Sequence, residues 1–201
     1  MDLPPARLSH GACTEVDIVS DIWLVTGPPG VGKSTLVSSV ILRLKSRGII
    51  VGGCTTGEKR LGGVRVGFEV KDLTNGTTGE LASTSGRLGP RVGKYRVNLS
   101  DLASVGAKGL SDAADVSELM VIDEVGPMEL VSPDFRRAVR KCIDSGKPIL
   151  AVVHERLDDD LLAELRSKAK ELVELDTNNR DEATDQVAAE ILATMKLPKS
   201  S

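Results

Sequence analysis

The strongest chemical signal in this sequence is a glycine-rich segment near the amino end. It reads Gly27-Pro28-Pro29-Gly30-Val31-Gly32-Lys33-Ser34-Thr35. The spacing fits G-x-x-x-x-G-K-S/T, in which glycines let successive backbone N–H groups turn inward around phosphate oxygens. Lys33 would contact the β and γ phosphates, the Ser34 hydroxyl would coordinate Mg²⁺, and the start of a helix would favour a polyanion. The segment predicts binding of a nucleoside triphosphate.

The residues on either side of this phosphate loop (Walker A motif) match that interpretation. The apolar run at 22–25 predicts a buried strand before the loop. After it, Leu36, Val37, Val40, Ile41 and Leu44 recur at helical spacing and the pattern stops at Gly48, as expected for an amphipathic helix with a glycine cap. A glycine-rich turn that binds nothing is the alternative. The order of strand, loop and helix favours a nucleotide site.

Two carboxylates end another short apolar run, which predicts a central parallel strand. The nucleotide-binding stretch expected here (Walker B motif) is Val121-Ile122-Asp123-Glu124-Val125-Gly126-Pro127. In an open parallel sheet, ligands bind at the carboxyl ends of the strands, so Asp123 would meet the phosphate loop. We expect Asp123 to hold Mg²⁺ with Ser34, through a metal-bound water. Glu124 would orient the attacking water and accept its proton, unless it is only a solvated carboxylate at a strand end.

Hydrolysis spreads negative charge over the γ oxygens, and an inserted arginine can neutralise it. Sequence does not choose among the candidates, which are Arg60, Arg65, Arg87 and Arg91. Arg60 is favoured because it falls with Glu58 just beyond the carboxyl end of a strand. A surface salt bridge is the alternative for each of them. The predicted catalytic set is therefore Glu124, Lys33 and Arg60.

Polar residues after later strands are candidates for binding the nucleobase of the triphosphate. Asn179 and Arg180 follow the last strand at the same sheet edge, where a base could pack against the guanidinium and hydrogen-bond the amide. Alternatively, Asn179 or Asp181 caps the following helix. His154 ends another strand and is interpreted either as a sensor of the γ phosphate or as a polar strand end.

The chain as a whole alternates strand and helix patterns, which predicts a three-layer α/β fold with a mainly parallel central sheet. Residues 57–98 are rich in Gly, Thr and Ser and predict a β-rich insertion of antiparallel hairpins, with a turn at Asn75-Gly76. The stretch at 100–114 is ambiguous, with glycines that could break a helix. Residues 1–18 are expected to be a loose N-terminal extension, and residues 19–201 a single domain.

Composition narrows the class of protein. The chain has 201 residues, a net charge of −3 and four aromatic residues, which gives no strong signal for nucleic acid or an anionic membrane. No secretory signal or membrane span is evident. Its three cysteines, Cys13, Cys54 and Cys142, form neither a zinc pattern nor a disulfide framework. We expect a cytoplasmic enzyme.

Several segments together resemble a known family, the THEP-type nucleoside triphosphatases, also called the cancer-related nucleoside-triphosphatase family. Besides the phosphate loop, the resemblance rests on the run at 123–130, Thr56-Gly57-Glu58-Lys59-Arg60, Arg65-Val66-Gly67-Phe68, Gly93-Lys94-Tyr95 and Asn179-Arg180. It covers nearly everything after about residue 20. The resemblance implies a P-loop α/β protein that uses Mg²⁺ to hydrolyse ATP, GTP and other triphosphates with loose base preference.

Three other functions share parts of these motifs. A nucleotide or small-molecule kinase would transfer the γ-phosphoryl group to an acceptor. A GTP-dependent switch fits D-x-x-G at 123–126, but a guanine-reading N-K-x-D segment is missing. A motor or assembly ATPase would need an arginine offered by another subunit; a monomer or small oligomer is expected.

Overall fold

Side chains alternate between two hydrophobic cores along the central strands. The computed structural model describes residues 21–196. In the strand that carries the two carboxylates, Met120 and Ile122 pack into one core and Leu119 and Val121 into the other. Because successive strand residues point to opposite faces, this alternation requires apolar helices on both sides of the sheet. The protein is therefore a three-layer α/β structure, as predicted.

Nine strands form one sheet in the order β5-β6-β4-β3-β2-β7-β8-β1-β9. Their bounds are β1 Ile22–Thr26, β2 Val51–Leu61, β3 Val64–Asp72, β4 Thr78–Ser83, β5 Arg91–Val92, β6 Tyr95–Val97, β7 Leu119–Val125, β8 Ile149–Val153 and β9 Glu171–Glu174. The strands β2, β7, β8, β1 and β9 run parallel to one another, and the remaining pairs, including β2 with β3, are antiparallel.

Helices cover both faces of this sheet. Their bounds are α1 Lys33–Lys45, α2 Leu99–Asp101, α3 Lys108–Val116, α4 Pro133–Asp144, α5 Asp160–Lys168 and α6 Arg180–Lys196, with a π-helical segment at Leu102–Ala107 between α2 and α3. Buried residues of α1 and α6 belong to one core. Those of the π segment, α3, α4 and α5 belong to the other. Within residues 21–196, no helix is long and apolar enough to span a bilayer.

The segment at 57–98, predicted as a β-rich insertion of antiparallel hairpins, contains antiparallel strands, and these strands extend the main sheet. The reason is the length of β2, which pairs parallel with β7 at its start and antiparallel with β3 along the rest. The sheet is thus mixed, with its parallel part carrying the two motifs. The extension predicted at 1–18 lies outside the described residues.

The stretch with ambiguous helical pattern is helical from Leu99 to Val116. Its glycines do not break it. A Cβ on Gly109 would lie 2.9 Å from Asp72 Cγ of β3, so this glycine lets the helix approach the sheet closely. Local propensity disfavours glycine in a helix, and tertiary packing overrides it here.

Candidate active site

Parallel pairing brings the two sequence motifs to one edge of the sheet. The strand β8 lies between β1 and β7 and is parallel to both, so their carboxyl ends point the same way. The phosphate loop follows β1 and leads into α1, whose first residue is Lys33. Three loop glycines have positive φ, namely Gly27 at 142°, Gly30 at 77° and Gly32 at 114°. A positive φ of this kind favours glycine, which has no Cβ, and this explains the glycines of the motif.

Lys33 lies over the loop that it terminates. Its Nζ donates hydrogen bonds to the carbonyl oxygens of Gly27 at 2.8 Å and Pro28 at 3.1 Å. The ammonium is therefore fixed at the loop, beside the first backbone N–H groups of α1. Gly32, the residue before α1, has no side chain to cap these groups. A positive side chain and unpaired helix N–H groups at one point make an anion site.

Ser34 and Asp123 meet across the sheet edge, as expected for residues that share a metal ion. The Ser34 hydroxyl donates to Asp123 Oδ1 at 3.4 Å. Asp123 is buried at 2 % exposure, and this burial raises its pKa to about 7 despite the opposing hydrogen bond from Ser34. A desolvated carboxylate beside a hydroxyl gains from a hard cation, and both groups are oxygen ligands of the kind Mg²⁺ takes. The residues present fit a magnesium ion.

Glu124 faces an open cavity next to the loop. This cavity, of about 470 Å³, is called the phosphate cavity below; its lining residues are Pro29, Gly30, Gly32, Lys33, Ser34, Thr35, Thr56, Gly57, Glu58, Arg65, Phe68 and Glu124. The ladder between β7 and β8 is irregular between Ile122 and Val125, and the Asp123–Glu124 peptide bond is cis. The two neighbouring carboxylates differ in setting, since Asp123 is buried and Glu124 is partly exposed.

Among the four candidate arginines, Arg65 is the one that lines the phosphate cavity. Its Nη1 donates to Glu58 Oε1 at 2.6 Å, and its Nε donates to the Tyr95 hydroxyl at 3.1 Å. Its guanidinium lies 5.3 Å from the centre of the Phe68 ring. These contacts hold the guanidinium in one orientation. Hydrogen bonds from Arg65 and, to a smaller extent, from Arg60 hold the pKa of the Glu58 carboxyl below its usual range.

Arg60, the arginine favoured from the sequence, is placed differently. It bonds Glu58 Oε2 through Nε and NH2, at 2.9 and 2.6 Å, and donates to the Gly63 carbonyl at 3.0 Å. It does not line the phosphate cavity. Arg87 borders a different cavity, and Arg91 bonds the Gly93 carbonyl within its own turn.

A second cavity of about 500 Å³ lies on the other side of the loop, between α1 and α6. This base cavity is lined by Gly32, Thr35, Leu36, Ser39, Arg43, Thr177, Asn178, Arg180, Asp181, Thr184 and Asp185. Arg180, predicted to pack against a nucleobase, lines this cavity. Asn179 is not among the lining residues, because its amide bonds the Asp176 N–H and the Glu174 carbonyl. Its carbonyl also accepts the Ala183 N–H, so it stands at the start of α6.

The other predicted residues surround the site without lining either cavity. Val31, Val121, Ile122 and Val125 are buried in the cores, Gly126 and Pro127 lie in the loop after β7, and Pro28 contributes its carbonyl to Lys33. His154 Nδ1 accepts the N–H groups of Arg156 and Leu157, which makes it a loop cap.

Sequence reasoning did not single out several residues of the base cavity. Ser39 and Arg43 follow the predicted Thr35 at four-residue spacing along α1, and Thr184 follows the predicted Arg180 on α6. Residues four apart share a helix face, so this polar spacing beside the phosphate loop was the available signal. What it could not show is that α1 and α6 pack side by side.

Comparisons with known proteins agree with this geometry. A family model described as NTPase matches residues 22–188. The nucleoside-triphosphatase THEP1 of Thermofilum pendens is 46% identical over 171 residues, which cover 84% of this chain and 94% of that protein. The THEP1 of Methanosarcina acetivorans is 44% identical over 169 residues, which cover 84% and 95%.

Two solved structures are also similar. The crystal structure of THEP1 from Aquifex aeolicus has a TM-score of 0.75 and 30% sequence identity, covering 85% of this chain and 98% of that one. The solution structure of a human cancer-related nucleoside triphosphatase has a TM-score of 0.74 and 32% identity, covering 87% and 99%.

Proposed function

The chain belongs to the THEP-type nucleoside-triphosphatase family and hydrolyses nucleoside triphosphates, and we propose that this reaction takes place in the phosphate cavity. The observation that carries the proposal is the lining of that cavity. It brings the phosphate loop with its Lys33, Glu124 and Arg65 together from three parts of the chain. Hydrolysis to the diphosphate and phosphate needs such a set, namely phosphate contacts, a base for water and a cation.

Ser34 and Asp123 are the residues that would hold Mg²⁺, with Asp123 acting through a bound water. When bound, the ion supplies positive charge to the β and γ phosphates. Lys33 and the backbone N–H groups of the loop bind the phosphate chain and orient it. Because Lys33 holds the loop through its bonds to the Gly27 and Pro28 carbonyls, little reorganisation is needed when charge develops on the γ oxygens.

Glu124 is assigned as the general base. It is partly exposed at the cavity wall, where a water can reach it, whereas Asp123 is buried beside Ser34. The carboxylate orients the water in line with the bond to the leaving diphosphate and accepts its proton as the new P–O bond forms. Arg65 is assigned to the developing negative charge, because its guanidinium lines the same cavity.

The nucleoside part of the substrate would occupy the base cavity. Arg180 offers a planar guanidinium on which any base can pack. The hydroxyls of Thr35, Ser39, Thr177 and Thr184 can each donate or accept, so they do not impose one base pattern. This chemistry supports broad specificity over ATP, GTP and other triphosphates. Asn179 positions the chain before α6, and Arg180 is the residue that packs against the nucleobase.

A reducing cytoplasm suits the thiols of Cys54 and Cys142, which are buried and free and whose pKa values are raised by that burial. Because Arg65 reaches the cavity within one chain, a monomer is sufficient for the reaction proposed.

A panel of ATP, GTP, CTP and UTP tests this function. Purified protein is incubated with each triphosphate, with Mg²⁺ or with EDTA, and free phosphate is measured without any acceptor. We expect phosphate from every triphosphate, only with Mg²⁺. Release that requires an added hydroxyl compound would instead indicate a kinase. Turnover of GTP alone would favour a dedicated switch.

A further inference from the structure

A buried carboxyl lies behind the proposed general base. Glu129, in the loop after β7, is only 5% exposed, and its Oε2 accepts the Gly126 N–H at 3.1 Å. The Gly126 carbonyl in turn accepts the Leu130 N–H at 3.0 Å. These two bonds close the loop on itself directly after Glu124 and Val125.

Gly126 itself separates two carboxyl groups. A Cβ at this position would lie 2.9 Å from Glu124 Oε1 and 3.2 Å from Glu129 Oε2. Its backbone is outside the left-handed region, so another residue could adopt the same conformation. A side chain at this position would therefore have to displace the Glu124 carboxylate. Both carboxyl groups use the room that a side chain would fill.

On the side that faces β8, the backbone that carries Glu124 lies outside the regular strand ladder. Pairing of β7 with β8 is regular up to Ile122 and resumes only at Val125. The residues between them include both site carboxylates. The Gly126 N–H lies two residues after Glu124, so its hydrogen bond to Glu129 is well placed to fix where the Glu124 carboxylate points.

We propose that Gly126 and Glu129 are positioning residues that set the place of the Glu124 carboxylate in the phosphate cavity. The inference rests on the assignment of Glu124 as base. Glu129 acts through the Gly126 N–H, and Gly126 acts by leaving space for the carboxylate. Neither touches the substrate.

Charge does not oppose this role at neutral pH. The groups facing Glu129 are Glu124 and Asp123 from β7 and Cys54 from β2. Burial first, and the charge of Glu124 second, raise the pKa of Glu129 to about 8. A carboxyl that is largely neutral adds little repulsion to Glu124, and a glutamine can take its place.

The experiment measures kcat, KM and the affinity for a non-hydrolysable triphosphate in Gly126→Ala, Glu129→Ala and Glu129→Gln. We expect kcat to fall about 10-fold to 100-fold in the two alanine variants, since a shift near 1 Å in a reacting group costs about that much. KM and analogue affinity should stay within a few fold. Glu129→Gln keeps an acceptor for Gly126 and should recover most of kcat.

A matched control separates positioning from stability. Asp72 is another buried carboxylate that accepts a backbone N–H, from Thr74 at 2.7 Å, but it lies at the end of β3. Asp72→Ala should lower the unfolding temperature without a selective loss of kcat. If Glu129→Ala behaves like this control, the positioning role is wrong.

A double-mutant cycle with Glu124→Gln tests the route of action. Once the base is gone, Gly126→Ala and Glu129→Ala should cause little further loss of kcat. Losses that multiply in full would overturn the inference while leaving Glu124 as base. Wild-type kcat in Glu124→Gln alone would remove the base assignment and the inference together, although phosphate release by the native enzyme would still stand.

Discussion

At the scale of single residues, two arginines on one hairpin provide a direct comparison. Arg65 and Arg60 lie opposite each other in the β2–β3 ladder and both bond Glu58. Only the former lines the phosphate cavity. We expect Arg65→Ala to lower kcat by about 10²-fold or more, since a cation at the γ oxygens contributes that much or more in phosphoryl transfer. Arg60→Ala should change kcat by only a few fold.

Steady-state hydrolysis of ATP by both variants measures this difference, with unfolding temperature as a check on packing. Arg65 also stacks on Phe68 and bonds Tyr95, so some loss of stability is expected. Equal kcat losses in the two variants would show that cavity lining does not select the catalytic arginine.

The two neighbouring carboxylates should separate binding from turnover. Glu124→Gln leaves the magnesium pair intact and removes only the proton acceptor, so triphosphate affinity should be retained while turnover falls by about 10²-fold or more. Isothermal titration with Mg²⁺ and a phosphate-release assay measure the two quantities. Unchanged turnover would mean that another group accepts the proton of the attacking water.

The sequence predicted the phosphate loop, Asp123 and Glu124 because their chemistry depends on short-range spacing. The choice between Arg60 and Arg65 depends on strand register. The β2–β3 ladder has an irregularity between Lys59 and Arg60, and such a bulge redirects side chains. No local pattern in the sequence marks that shift, so the arginine that lines the cavity could not be identified in advance.

At the scale of elements, the contact between edge strand β9 and helix α6 contains two facing carboxyl groups. Glu171 of β9 and Glu190 of α6 share the Gln186 amide, and Glu190 also accepts the Trp23 indole N–H at 3.1 Å. Among residues 21–196, no N–H donor reaches the buried Oε2 of Glu171. A bond between the two carboxyl groups can form only when one of them carries a proton.

This pair should make stability depend on pH. The hydrogen bond with Glu190, aided by burial, raises the pKa of Glu171 to about 7, whereas the pKa of Glu190 is lowered by the same bond. A raised carboxyl pKa contributes stability that is present below its unfolded value, near 4.5, and is lost as pH rises through about 7. The free energy of unfolding should fall across that window.

Urea unfolding at pH 5 and pH 8 measures the effect in the wild type and in Glu171→Gln. The glutamine keeps the acceptor for Gln186 and supplies a permanent N–H donor to Glu190, so the variant should lose less stability on going to pH 8. Glu174→Gln, at the exposed end of the same strand, is the control. Parallel pH curves for all three proteins would rule out a shared proton.

Element boundaries were predictable where a cap or a strict pattern marks them. The pair Ser132-Pro133 marks the start of α4, where Ser132 Oγ accepts the Phe135 N–H, and the apolar face of this helix is buried. The antiparallel strands were also predictable as strands. Their joining to the parallel sheet was not, because it depends on β2 pairing with β7 and β3 at once, contacts far apart in sequence.

At the scale of the whole molecule, the site lies where the helical layer that contains α1 and α6 meets the sheet. The phosphate loop joins β1 to α1 on one face, and α6 contributes Arg180 beside it. A Cβ on Gly32 would lie 3.2 Å from Arg180 Cδ, so the loop and the last helix are in close contact. A nucleotide bound across both cavities would therefore link the first and last helices of the described chain.

Binding of a nucleotide should accordingly stabilise the whole fold. A ligand at 100 times its Kd adds about 2.7 kcal/mol to the free energy of unfolding. For a protein of this size, that corresponds to a rise of roughly 5 to 11 °C in Tm. We expect this rise with a non-hydrolysable triphosphate and Mg²⁺, because every loop contact to phosphate exists only in the folded state.

Lys33→Ala tests whether the rise comes from the phosphate loop. The variant loses the ammonium that lies over the loop, so at the same ligand concentration most of the shift in Tm should disappear, whatever its Tm without ligand. Lys147 is a matched control, since its Nζ also donates to a backbone carbonyl, that of Asp115 at 3.0 Å. Lys147→Ala should keep the full shift. An undiminished shift in Lys33→Ala would mean that the triphosphate gains its stabilising contacts elsewhere, and the phosphate cavity would no longer be the site of hydrolysis.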